Sequence, residues 1–235
     1  MVFKRVIAPL FFVAILITTL FGVESFTDSV RAAPGDFIVV VDTTQPGSSN
    51  NDQFSIPTAF CCDAYNYDVD WGDSLSDTGV GGAITHTYAA PGTYTISISG
   101  SFPRWAGNGG DEQKLIEIQQ WGTQVWSNMS GAFSGAANME LTASDAPDLS
   151  AVTNMGTMFY GATNLTAAGS GIGSWNTSNV TDMHQIFEGA TSFDEDISGW
   201  DVSNVTTMEG MFHSASNFNQ NINGWTTTSL TNIDY

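Results

Sequence analysis

Trp200-Asp201-Val202-Ser203-Asn204-Val205-Thr206-Thr207-Met208-Glu209-Gly210-Met211-Phe212-His213-Ser214-Ala215 is the stretch that decides how the C-terminal half is built, because its apolar positions return along the chain. Trp175, Trp200 and Trp225 recur every 25 residues, and Phe133, Phe159, Phe187 and Phe212 follow one another at 26, 28 and 25. With the phenylalanines in register, Ala136, Ala162, Ala190 and Ala215 align, as do Met139, Leu165, Phe193 and Phe218. Departures fall in register too: Pro147 stands where later units carry Trp, and Thr166 to Gly171 lengthens one unit between core positions. Self-similarity of this kind marks an array of small units, each too small to bury its apolar face without its neighbours.

Within a unit, Ile197, Trp200 and Val202 suit a short strand. Val205, Met208, Met211 and Phe212 lie at i, i+3, i+6 and i+7, the spacing of one helix face. Residues 131–235 are therefore expected to form a leucine-rich-repeat-like solenoid of strand plus short helix units. Its methionine and aromatic rows would be core, and His184 and His213, on variable positions, would be solvated. Trp225, Leu230 and Ile233 match earlier core rows, but the sequence stops at Asp234-Tyr235, before the next Phe. The expectation is a truncated array whose uncapped last repeat can associate with another copy.

Upstream the period changes to two. Phe37-Ile38-Val39-Val40-Val41 is a β-branched run, and Asn66 to Trp71 and Tyr94 to Ile98 alternate. Pro46-Gly47, the Gly79 to Gly82 stretch and Pro91-Gly92 supply turn chemistry between them. Residues 36–104 are expected to form a small antiparallel β-sandwich, and 105–130 a connecting and capping segment in which Leu115 to Ile118 alternate. The fold class is thus β-rich plus an α/β repeat.

Charge and address come next. The chain carries 5 Lys and Arg against 24 Asp and Glu. Lys4 and Arg5, the apolar run Val6 to Val23 and the small residues flanking Arg31 read as a signal peptide over residues 1–32, with an uncleaved N-terminal anchor as the alternative. Its removal takes Glu24 and Asp28 from the 24 acids and Lys4, Arg5 and Arg31 from the 5 bases, leaving 22 acidic residues against Arg104 and Lys114. Such a surface repels phosphate backbones, so nucleic acid is excluded as a partner. No stable membrane span is expected in the mature chain. No Cys closely follows the apolar run, which argues against a lipid anchor. Cys61 and Cys62 are adjacent; a bridge between neighbours closes almost no loop, and two sulfurs without nearby histidines fall short of a metal site.

The Trp200 to Ala215 stretch is similar to the repeat of BspA-like leucine-rich-repeat surface proteins of bacteria. Tyr65 to Asp73, Thr85 to Tyr94 and Asp145 to Ser150 resemble the segment that commonly precedes those repeats. The pair Trp71-Gly72-Asp73 and His86-Thr87-Tyr88 with Pro91-Gly92-Thr93-Tyr94 also resembles polycystic-kidney-disease-type (PKD) domains, which are Ig-like sandwiches. Ser74 departs from that pattern, which usually has Gly there. The resemblance implies display at the cell surface and adhesion or ligand recognition.

Chemistry is sparse. Asp63, Asp68, Asp70 and Asp73 offer oxygen ligands to calcium without the loop pattern of a dedicated site, and carboxylates in such a turn more often cap backbone N–H groups. Asp194, Glu195 and Asp196 are consecutive and point apart. His86, on a strand between Thr85 and Thr87, has no nucleophile beside it and suits a packed or turn-bonded role. No hydrolase, metalloprotease or phosphate-loop motif occurs. The expected protein is a secreted or cell-surface recognition or adhesion protein with no catalytic residue, cofactor or metal of its own. Its ligand would be an extracellular protein or glycan. The alternative is the non-catalytic accessory region of a larger secreted hydrolase.

Overall fold

The computed structural model describes residues 33–59, 63–107 and 110–234, so the signal peptide read at 1–32 and the Cys61-Cys62 pair lie outside the described residues. Among these residues the strands are β1 (Phe37–Asp42), β2 (Gln53–Ile56), β3 (Asn66–Asp70), β4 (Ser76–Val80), β5 (Ile84–Thr87), β6 (Thr93–Ser101), β7 (Leu115–Gln120) and β8 (Glu140–Leu141). The only helical elements among them are two three-residue 3₁₀ turns, at Glu112–Lys114 and Ile172–Ser174.

Phe37 to Val41 are all buried, which requires cover on both faces and neighbours on both edges. β1 gains them by pairing antiparallel with β6 on one side and with β7 on the other. β3 and β4 extend the sheet beyond β6, and β8 joins β7 in parallel, giving the order β4-β3-β6-β1-β7-β8. β2 and β5 form a separate antiparallel pair. The self-contained antiparallel Ig/PKD-like sandwich expected at 36–104 is therefore corrected. Its most apolar strand is completed by β7, from beyond it, and the sheet is mixed and open-edged.

The strand-plus-helix solenoid is also corrected, because no helix forms over Val205 to Phe212 or its equivalents. The physical reason lies in the backbone. Met158, Tyr160 and Ala162 donate N–H to the carbonyls three residues back, at Met155, Thr157 and Phe159, so each unit is a string of turns with a period near three. The intervening N–H groups of Met155, Thr157, Phe159 and Gly161 instead leave the unit. They donate to Asp182, His184, Ile186 and Glu188 of the next one at 2.7 to 2.9 Å. Met183, Gln185, Phe187 and Gly189 repeat the pattern toward Thr207, Glu209, Met211 and His213 at 2.8 to 3.0 Å. A helix would have turned those donors back on itself.

Two left-handed residues per unit turn them outward. Thr157 and Gly161, Gln185 and Gly189, and Gly210 and Ser214 all have φ between 52° and 72°. The apolar spacing of three and four is thus kept without a helix, and its side chains stack between units. Phe133, Phe159, Phe187 and Phe212 follow one another with ring centroids 5.8, 5.7 and 5.9 Å apart and nearly parallel planes. Trp121 meets Trp175 edge-on at 5.4 Å, and one buried cluster runs unbroken from Phe37 to Met211.

Candidate recognition site

The acidic turn read as a calcium candidate is built at the end of β3. Gly72 must be glycine, since it has φ of 77° and a Cβ would stand 2.3 Å from the Thr95 carbonyl oxygen. Ser74, where the resembled pattern has Gly, adopts φ of 74° and so keeps the same kind of turn with a side chain present. Asp70 accepts from the Gly72 N–H at 2.8 Å, Asp73 from the Leu75 N–H at 3.0 Å, and Asp68 from the Gly79 N–H at 2.8 Å. The second Asp73 oxygen meets His86 Nε2 at 2.9 Å. His86 stacks on Trp71 at 4.7 Å and meets Tyr88 edge-on. Asp63 accepts from Ser127 Oγ, away from the other three.

Asp68, Asp70 and Asp73 are thus spent on backbone N–H groups and, for Asp73, a ring as well, and they order the turn. A calcium site held at a hundredfold excess over its Kd would contribute about 2.7 kcal/mol, roughly 5 to 10 °C for a chain of this size. Chelation should therefore leave the melting temperature of the chain unchanged by scanning calorimetry. A rise of that size on adding calcium, abolished in Asp70→Asn, would contradict the turn-ordering role.

The other acidic cluster does not converge. Asp194 accepts from the Asn219 N–H, Glu195 from the Ala167 N–H at 3.3 Å, and Asp196 from the Ser198 N–H, three separate partners. His184 is less free than its variable position suggests: it bonds Asp182 at 2.7 Å and lies where a side chain at Gly156 would stand. His213 is 56% exposed and meets Glu188 at 3.0 Å.

What the repeats present outward is a set of rows. Thr181, Thr206 and Thr231 each donate their hydroxyl to the carbonyl of the threonine one unit back, at 2.9 to 3.1 Å, and with Thr153 they form an exposed threonine row. Asn179 and Asn204 donate their amides to Ser150 and Ser178 of the unit before, making a second row. Asp148, Asn176 and Asp201 form a third, each accepting the N–H two residues on. Hydrogen bonds from Ser150 and Ser203 hold the Asp148 and Asp201 carboxyls below the usual carboxylate range. The threonine and asparagine rows are tied to the unit before by their side chains, while the third row is held by turns within its own unit.

Three polar residues of structural weight escaped the sequence reading. Asp145 accepts from the Trp121 and Gly122 N–H groups and fixes the end of β7. Asp111 and Lys114 are both buried, and Lys114 is entirely enclosed. Their three-residue spacing was visible, but nothing in it distinguishes a buried pair from a solvated one.

The sequence model of one family, described as "Mycoplasma protein of unknown function, DUF285", matches residues 112–168 and 127–235. This is a different family from the BspA-like leucine-rich-repeat proteins, and with almost no helix in the repeats that resemblance is corrected. No curated protein and no solved structure matches the chain. Among the described residues no helix is long and apolar enough to cross a membrane.

Proposed function

From the premise that the chain belongs to the DUF285 family, we propose that it is a secreted or cell-surface recognition and adhesion protein that performs no catalytic step. The observation that carries this reading is the division of labour in the repeats. Most of their apolar residues are buried in the stacked core, while Thr153, Thr181, Thr206 and Thr231 and the neighbouring Asn and Asp rows repeat outward on the hydrogen-bonded frame. A periodic polar surface suits an extended partner that is itself repetitive, such as a glycan or a matrix protein, because many weak contacts then add through one backbone geometry. The strong negative charge disfavours densely anionic partners such as a phosphate backbone.

The test is a binding screen of the immobilised protein against glycans and matrix proteins, repeated with lysine at Thr181 and Thr206. Saturable binding should weaken by about tenfold or more in that double variant, equivalent to about 1.4 kcal/mol, with its melting temperature used to confirm folding. Binding indifferent to those substitutions, or none across the panel, would remove the threonine row from the account.

A further inference from the structure

The described residues contain two cations, and the structure uses them in opposite ways. Lys114 is fully enclosed and bonded to four oxygens. Arg104 is half-buried and makes one long bond, from Nη2 to the Ser130 carbonyl at 3.4 Å. Its Nε is buried with no partner, and no carboxylate lies within ion-pair distance of it among the described residues. In a chain with 24 acidic residues this is an anomaly, since a partly desolvated guanidinium ordinarily recruits a carboxylate.

Arg104 lines an open cavity of about 240 Å³ at the first repeat unit, together with Gly107, Ser130, Gly131, Ser134 and Thr157. A water occupies about 30 Å³ of liquid, so the space suits one ring-sized group. The hydroxyls of Ser130, Ser134 and Thr157 make no hydrogen bond among the described residues, and all three are partly accessible. Gly107 lets two backbones meet at the edge of the cavity, since a Cβ there would lie 2.1 Å from the Gly131 carbonyl oxygen. Thr157 has φ of 54° at a position where two other units carry Gly131 and Gly210 and the next carries Gln185, with φ of 52°. A β-branched residue held there is strained, and such strain gathers at ligand sites.

We propose that this cavity binds the carboxylate of an acidic sugar, the guanidinium taking the carboxylate and the three hydroxyls taking ring hydroxyls. The carboxylate supplies the charge that Arg104 lacks. The hydroxyl lining favours a sugar over the C-terminal carboxylate of a peptide, whose flanking atoms are mostly apolar or amide. This inference rests on the recognition reading above and gives it one ligand chemistry.

The experiment titrates the ¹⁵N-labelled protein with sodium glucuronate, glucose, sodium acetate and N-acetylalanine, following the amide resonances of Gly107, Gly131, Ser134 and Thr157. Glucuronate should shift them saturably and bind about tenfold or more tighter than each of the other three. Arg104→Gln should weaken it by about tenfold or more, as expected for loss of a charge-assisted pair. Ser134→Ala, which leaves the guanidinium in place, should weaken it a few-fold and guards against misfolding of the first variant. Equal shifts with glucose, tighter binding of N-acetylalanine, or unchanged glucuronate binding in Arg104→Gln would each overturn the proposal. If glucuronate fails while the threonine-row variant still loses binding in the screen, recognition stands and this pocket does not.

Discussion

Replacing Lys114 with methionine will destabilise the protein by about 3 to 5 kcal/mol, the cost of stranding a buried charge and its acceptors. The ammonium donates to the carbonyls of Ser49, Asn50 and Gln53 at 3.1, 2.8 and 2.9 Å, to Ser49 Oγ at 2.7 Å, and stands 3.7 Å from Asp111. Asp111 in turn accepts from the Ser49 N–H, Ser49 Oγ and the Ser55 N–H. The pair therefore pins the turn before β2 to the turn before β7, and so holds the small sheet against the large one. Methionine fills the space of the lysine stem but leaves a carboxylate and three carbonyls facing an apolar group. In urea titrations, Asp111→Asn with Lys114→Met should lose less than the two single losses combined, because the residues share one network. A loss below about 1 kcal/mol for Lys114→Met would mean that water reaches the cage and that the turn is not held by the ammonium.

Trp200→Ala should cost a similar amount, about 3 to 5 kcal/mol, through a different mechanism, the loss of a large buried aromatic and the cavity it leaves. Trp200 is 3% exposed, stacks between units on Trp175 at 6.2 Å and on Phe187 at 5.8 Å, and donates its indole N–H to the Ile172 carbonyl at 2.8 Å. Trp225 occupies the same row but is half-buried, and its indole bond is 3.3 Å. Trp225→Ala should therefore cost clearly less, and the difference is the check: equal losses in chemical denaturation would show that the row is not graded by burial.

Much of this was legible in the residues, and what was missed has identifiable physics. The spacing of Phe133, Phe159, Phe187 and Phe212 announced both the repeat and the buried ring column, because a stacked array must return the same apolar residue to the same place. The spacing of Val205, Met208, Met211 and Phe212 misled, because a run of turns bonded at i to i−3 places apolar residues almost as a helix does. Only the left-handed residues could have told the two apart. Gly135, Gly161 and Gly189 were such a signal, but Thr157, Gln185 and Ser214 hold equivalent conformations without any glycine to mark them. Leu115 to Ile118 showed a strand pattern, yet its place beside β1 was invisible, since pairing partners far apart in sequence leave no local trace.

Sequence alone determined the period, the identity of the core rows, the acidic surface and the scarcity of cations. These are properties of composition and spacing, and any fold of this chain must respect them. Tertiary structure decided where the alternate backbone N–H groups go, which turned an expected helix into stacked turns. It also decided that Lys114 is enclosed while Arg104, among the described residues, is left with one long bond beside three unengaged hydroxyls. The two cations are alike in a charge count, and only the packing around each of them separates a residue that holds the fold from one that is free to meet a ligand.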